Sequence, residues 1–420
     1  MAGTSTTDRT DEGGRTALGL RCKECGETQG LTAAYACEFC FGPLEVVYDL
    51  RLVAERVSRE RIAAGPLNIW RYADLLPCVP DDPHSGLPTG LTPLVKAPRL
   101  AARLGLNDVW VKNDTANPTH SFKDRVVSVA LQKARELGYE VAACASTGNL
   151  AGAVAAHAAA AGMRAFVFVP ADLEPQKIIG TGIYGATVVA VDGTYDDVNR
   201  LCMELAADRP WAFVNVNVRP YYSEGSKTLA FETAEQLGWT LPDRCIVPIA
   251  SGSLYTKIHR GFRELIACGL VEGDLPVMNG AQSGGCGPVA EAWSAGRDFV
   301  APVRPDTIAK SLAIGNPADG VFALDVARAT GGGVDAVSEE EILDGIQLLA
   351  ETTGIFTETA GGVTTATLAR LAREGRIDPD ERVVLYITGD GLKTLDVVAP
   401  RVRPTAIEPT VGAFERAVRA

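Results

Sequence analysis

With 420 residues, 46% of them hydrophobic and 22% charged, the chain has an ordinary globular composition but exceeds what one core usually fills, so two domains plus an accessory element are expected. A formal net charge of -12 repels nucleic-acid backbone and anionic membrane alike, and no apolar run is long enough to cross a bilayer. A broad electrostatic grip on nucleic acid or membrane is therefore not expected, and the cytoplasm is the default compartment.

Met1 to Leu18 is polar, rich in Thr, Gly and Asp, and lacks the apolar core of a signal peptide, so residues 1–20 are read as a disordered tail. Residues 21–50 read as a zinc-ribbon-like element. Cys22, Cys25, Cys37 and Cys40 form two CxxC pairs separated by eleven residues, each pair closely followed by glycine. Four thiolates at this spacing can close a tetrahedral zinc site and leave no open position for chemistry, which assigns the metal to folding or docking. Two disulfides or a redox pair are the competing readings. Nucleic-acid binding by the ribbon is disfavoured by Glu24, Glu27, Glu38 and Glu45. The other six cysteines lack paired spacing and read as reduced core thiols.

Leu50 to Ala64 reads as one charged amphipathic helix, followed by an extended approach through Pro66, Pro77, Pro80, Pro83 and Pro88 to Thr92-Pro93-Leu94. After the strand-like Asp108 to Lys112 comes Asn117-Pro118-Thr119-His120-Ser121-Phe122-Lys123-Asp124-Arg125, with Phe122, Val126, Val129 and Ala130 at helical spacing. Lys123 therefore falls in the first turn of a helix. There the helix dipole and partial burial disfavour an ammonium and favour the neutral amine that condenses with an aldehyde such as pyridoxal phosphate. A lysine with a solvated head is the plainer alternative.

Strands are expected near Val141 and over Ala165 to Val169, Thr187 to Val191, Cys245 to Ile249, Pro276 to Asn279 and Val383 to Ile387. Helices alternate with them over Ala151 to Ala161, Gln176 to Tyr184, Asp196 to Ala207, Lys227 to Leu237 and Leu254 to Ala267, and a capping box of Ser338 and Glu341 starts another that runs to about Glu351. This alternation implies an α/β fold with parallel sheets covered by helices. Ser146-Thr147-Gly148-Asn149 precedes one helix, Ser251-Gly252-Ser253-Leu254 precedes another, and Thr388-Gly389-Asp390-Gly391 ends the last strand. Ligands gather beyond the carboxyl ends of strands in doubly wound sheets, and glycine at a helix N-terminus suits a phosphate.

Taken together, NPTHSFKDR (Asn117 to Arg125), STGN (Ser146 to Asn149), the serine-glycine loop (Ala250 to Leu254), GNP (Gly315 to Pro317) and TGDGLK (Thr388 to Lys393) resemble threonine synthase, over about Cys22 to Thr394. The resemblance implies two doubly wound domains of the tryptophan-synthase β-like pyridoxal-phosphate fold. Residues 51–126 and 217–420 would form the large domain and 127–216 a smaller, movable α/β domain inserted into it. It implies Lys123 as the Schiff-base lysine, Asn149 on the cofactor's phenolic oxygen, Ser251, Gly252, Ser253 and Leu254 around its phosphate, and Thr388 at its pyridine nitrogen. A hydroxyl at that nitrogen suits β- and γ-elimination. Asp390 is the alternative partner.

The implied reaction takes O-phospho-L-homoserine and water to L-threonine and phosphate, with Lys123 as base and acid, in a homodimer. Lys112, Ser146, Thr147 and Arg219 are candidates for the substrate phosphate. Leu150, Ser251, Ser253 and Tyr222 depart from residues common in the family; at Tyr222 many members carry arginine. The rivals are a paralogue acting on O-phosphoserine, as cysteate synthase does, a dehydratase, and a catalytically silent cofactor-binding or zinc-ribbon interaction protein.

Overall fold

Residues 15–419 are described in this computed structural model, so residues 1–14 of the expected tail lie outside the described residues. Strand β1 (Ala17–Cys22) pairs antiparallel with β2 (Thr28–Gln29) and β3 (Leu44–Tyr48). Residues 17–20 are thus strand, not tail, because Leu20 and Val46 are buried against the body of the protein. The expected helix from Leu50 to Ala64 is two helices, Leu50–Arg56 and Arg59–Ala63. Val57 is extended between them, and the Ser58 hydroxyl accepts from the Arg61 amide to cap the second.

Chain order then gives β4 (Leu94–Lys96), β5 (Asp108–Asn113), β6 (Val141–Ala145), β7 (Arg164–Pro170), β8 (Thr187–Val191) and β9 (Ala212–Phe213), followed by β10 (Arg244–Pro248), β11 (Val277–Ser283), β12 (Gly333–Val337) and β13 (Arg382–Ile387). Two sheets result. The larger has the order β12-β11-β10-β13-β5-β4, parallel except for the antiparallel edge strand β4, and the smaller has the parallel order β8-β7-β6-β9. β6 and β10 are buried along their whole length, as strands covered by helices on both faces must be. No helix among the described residues is long and apolar enough to cross a membrane.

Helix Lys123–Glu136 forms the seam. Its Val126, Val127, Ala130, Leu131 and Ala134 pack in one core with β6, β7 and helix Asn149–Ala160, and Leu20, Cys22, Cys37 and Val46 of the ribbon belong to that same core. Toward the large sheet the helix is tied by Arg125, which is fully buried. Its guanidinium reaches Asp114 at 2.7 and 2.8 Å and Glu232 at 2.5 and 2.8 Å. Lys112 Nζ meets the same Glu232 at 2.7 Å. Burial alone would raise the Glu232 carboxyl pKa, but Arg125 and Lys112 outweigh it and hold it at about 2.

The folded pKa of Glu232 lies below its ordinary 4.5, so its contribution to stability is complete above that pH and is lost as pH falls toward about 2. Glu232→Gln should cost on the order of 3 kcal/mol at pH 7, since it strands two buried cations. Urea melts across pH should show the gap between wild type and variant narrowing below about 4.5. A constant gap would contradict the network's role.

Candidate active site

The lysine loop is built by side chains that replace missing backbone partners. Asp124, buried, accepts from the Thr119 amide at 2.8 Å and the Thr119 hydroxyl at 2.9 Å, closing the turn ahead of the helix. The Phe122 amide donates to the Thr388 carbonyl oxygen at 2.9 Å, the Asp390 amide donates to His120 at 3.1 Å, and Ser121 bridges Gly389. The loop thus lies along the turn that follows β13. Lys123 opens its helix half-buried, and its Nζ donates to the Tyr222 hydroxyl at 2.9 Å.

Asn149 begins helix Asn149–Ala160 beyond β6, with Ser146 and Thr147 in the preceding turn and the Ser146 hydroxyl accepting from the Gly148 amide. Its Nδ2 donates to both carboxylate oxygens of Glu358, at 3.1 and 3.0 Å, and its Oδ1 accepts from Lys393 Nζ at 2.8 Å. Burial pushes the Glu358 carboxyl pKa up, with Asn149, Lys393 and Lys123 opposing. Beyond β10, Gly252 caps helix Ser253–Ala267 at φ +92°, where a Cβ would stand 2.6 Å from the Asp319 carbonyl oxygen. Only glycine meets both conditions without strain. The Asp319 side chain accepts from Arg219 at 2.8 Å and from Lys23 of the ribbon at 2.8 Å. Helix Arg219–Glu224 therefore links the Gly252 loop to Tyr222 and so to Lys123.

Of the candidates for a substrate phosphate, Ser146 and Thr147 lie in the turn before Asn149 and Arg219 opens the helix that carries Tyr222, whereas Lys112 is elsewhere. Its side chain is fully buried, with Nζ on Glu232, on the Thr92 carbonyl oxygen at 2.6 Å and on Gln236 at 2.9 Å. Lys112 is a structural ion-pair partner and not the phosphate contact expected from the sequence. Asp390 caps the turn Gly391–Thr394 by accepting from the Leu392 amide.

Residues 87–389 match the family model described as pyridoxal-phosphate-dependent enzyme. Threonine synthase of Methanocaldococcus jannaschii is 38% identical over 403 residues, covering 95% of this chain and 99% of that one; its counterpart in Methanosarcina acetivorans is 36% identical, covering 95% and 98%. The chain belongs to the pyridoxal-phosphate-dependent enzymes, within the threonine synthase family. Its fold is shared with a fungal L-serine ammonia-lyase from Rhizomucor miehei (TM-score 0.63, 22% identity, 74% of this chain and 97% of that one) and with the processed form of threonine deaminase isoform 2 from Solanum lycopersicum (0.62, 20%, 78% and 82%).

The donor set fits this family's cofactor. An amine, an amide, a buried hydroxyl and the N-terminus of a 15-residue helix stand on connected segments, and the Cβ-free approach at Gly252 brings backbone close at that N-terminus, as a phosphate cradle requires. The four ribbon thiols also fit a metal. All their sulfurs lie within 4.8 Å of one another, with Cys22 to Cys40 at 3.4 Å and Cys25 to Cys37 at 3.7 Å. The edge of a zinc-thiolate tetrahedron is about 3.8 Å. Amides of Phe39 and Gly42 point at the sulfurs of Cys37 and Cys40.

Glu358, Lys393 and Asp319 carry no role in the sequence reading. Glu358 had one signal: a lone carboxylate between Ile355-Phe356 and an apolar, glycine-rich stretch. Lys393 lies inside the TGDGLK motif, and Tyr222 is one of the departures from the family pattern.

Proposed function

We propose that the chain is a threonine synthase converting O-phospho-L-homoserine and water to L-threonine and phosphate. The observation that carries this reading is the end-to-end match to the two threonine synthases named above, on a chain whose Lys123 opens a helix at the seam of the two sheets. Lys123 would hold the cofactor covalently, Asn149 would meet its phenolic oxygen, Ser251, Gly252, Ser253 and Leu254 its phosphate, and Thr388 its ring nitrogen. Bound there, pyridoxal phosphate supplies the electron withdrawal that makes the α and β hydrogens of an amino acid acidic.

Lys123 Nζ, once free, is the base that takes the α proton and then a β proton. Tyr222, whose hydroxyl bonds Nζ at 2.9 Å, holds the amine in place for both transfers. Departure of phosphate from the γ carbon is balanced by protonation there, water adds its oxygen at the β carbon, and the α carbon recovers a proton. Ser146 and Thr147, at a helix N-terminus, and Arg219 suit the leaving phosphate. The residues 127–216 would move against the remainder as substrate enters.

The ribbon thiols bind one structural zinc in this reading, supported by four sulfurs that all lie within 4.8 Å of one another. All ten cysteines are unpaired by disulfides, which suits a cytoplasmic enzyme. Helix Val411–Arg419 leaves Val411, Phe414 and Val418 exposed, which suits a homodimer.

Two outcomes test these assignments. Product analysis with phosphohomoserine and phosphoserine side by side should give threonine and phosphate from the first, and Lys123→Ala should abolish turnover while the fold persists. Turnover of phosphoserine alone, or 2-oxobutyrate in place of threonine, would refute the substrate assignment. Metal analysis should find one zinc per chain, lost in Cys37→Ser while the cofactor stays bound; stoichiometric disulfides among the four cysteines would overturn the zinc site.

A further inference from the structure

Asn149 is gripped from both ends by residues of opposite hydrogen-bonding character. Lys393 can only donate, and it donates to Oδ1 at 2.8 Å; the Glu358 carboxylate can only accept, and it accepts from Nδ2 at 3.1 and 3.0 Å. The two ends of an asparagine amide have the same shape, so such partners decide which way it points. Both partners are themselves fixed. Lys393 Nζ also donates to the Thr119 carbonyl oxygen at 2.5 Å, in the lysine loop. Glu358 is buried, its amide donates to Gly389 at 3.0 Å, and a Cβ at Gly389 would collide with its carboxylate. The glycine of the Thr388-Gly389 turn thus makes room for Glu358 beside the amide.

We propose that Glu358 and Lys393 are positioning residues that lock the Asn149 amide with its Nδ2 end toward the cofactor's phenolic oxygen; this rests on the role given to Asn149 above. One N–H shared between the two carboxylate oxygens leaves the second N–H of Nδ2 free to donate. A donor at the phenolic oxygen stabilises its negative charge, which weakens the hold of that charge on a proton at the neighbouring lysine–cofactor linkage. The linkage therefore loses its proton at a lower pH than it would otherwise. With the amide reversed, Oδ1 would face the same oxygen and repel it, and the linkage would keep its proton to higher pH.

The test is the visible absorbance of the cofactor-loaded protein titrated against pH, without substrate. Lys393→Met should raise the midpoint by about one unit, and Asn149→Ala should raise it at least as far. The double variant should match Asn149→Ala alone, because Lys393 acts through that amide. Lys393→Arg, which still donates, should restore the wild-type midpoint. Should Lys393→Met fail to retain cofactor, Glu358→Gln keeps the shape while losing the obligate acceptor. It should also raise the midpoint, whereas simple removal of a negative charge would lower it.

Additive shifts in the double variant, an unmoved midpoint in Lys393→Met, or a fall in Glu358→Gln would each overturn the inference and leave the cofactor reading standing. A visible band that is not carried by Lys123 would overturn both.

Discussion

Lys123 holds its place at the seam because the two residues after it are pinned in opposite directions. Asp124 turns toward the small sheet, where it closes the loop through Thr119 and meets His157 of helix Asn149–Ala160 at 2.8 Å. Arg125 turns toward the large sheet and is enclosed by Asp114 and Glu232. An unpaired charge at either position would be costly to bury, so the two pairings together fix the helix start. Close packing follows from it: a Cβ at Gly225 would stand 2.6 Å from the Arg125 carbonyl carbon, so the segment after helix Arg219–Glu224, which presents Tyr222, must carry glycine there. Everything the site needs from the large sheet is positioned relative to that helix.

The ribbon is part of the same construction. It shares a core with the seam helix, its Lys23 reaches the aspartate behind the Gly252 loop, and Arg260 of helix Ser253–Ala267 grips Glu45 at 2.7 Å and the Val46 carbonyl oxygen at 2.6 Å. Tyr48 donates to the buried Glu224, and Tyr221 donates to the Thr32 carbonyl oxygen. A metal at the four thiols would therefore stiffen a surface that backs the Gly252 loop.

Much of this was legible in the sequence because local and global preferences agree there. β6, β10 and β13 are short apolar runs, and the capping box at Ser338 and Glu341 forms as read, opening helix Glu339–Thr353. Helix Thr359–Arg373 is not among the elements expected from the sequence, and the reason is physical. Its Gly361, Gly362 and threonines are poor helix formers, tolerated because the helix is buried on nearly every face, and Gly345 and Gly362 let it approach its neighbour to backbone contact. Glu358, at the N-cap of that helix, was hidden with it. Lys112 differs from expectation for another reason: strand position and charge give no hint that Glu232, far along the chain, claims its ammonium.

The assignment of Lys123 as the cofactor-bearing lysine is the proposal on which the other roles rest. Borohydride reduction of the protein as purified, followed by mass mapping of its peptides, tests it with no substitution at all. A stable pyridoxyl adduct is expected on the peptide containing Lys123. An adduct on Lys112, Lys227, Lys257 or Lys393 in its place would contradict it.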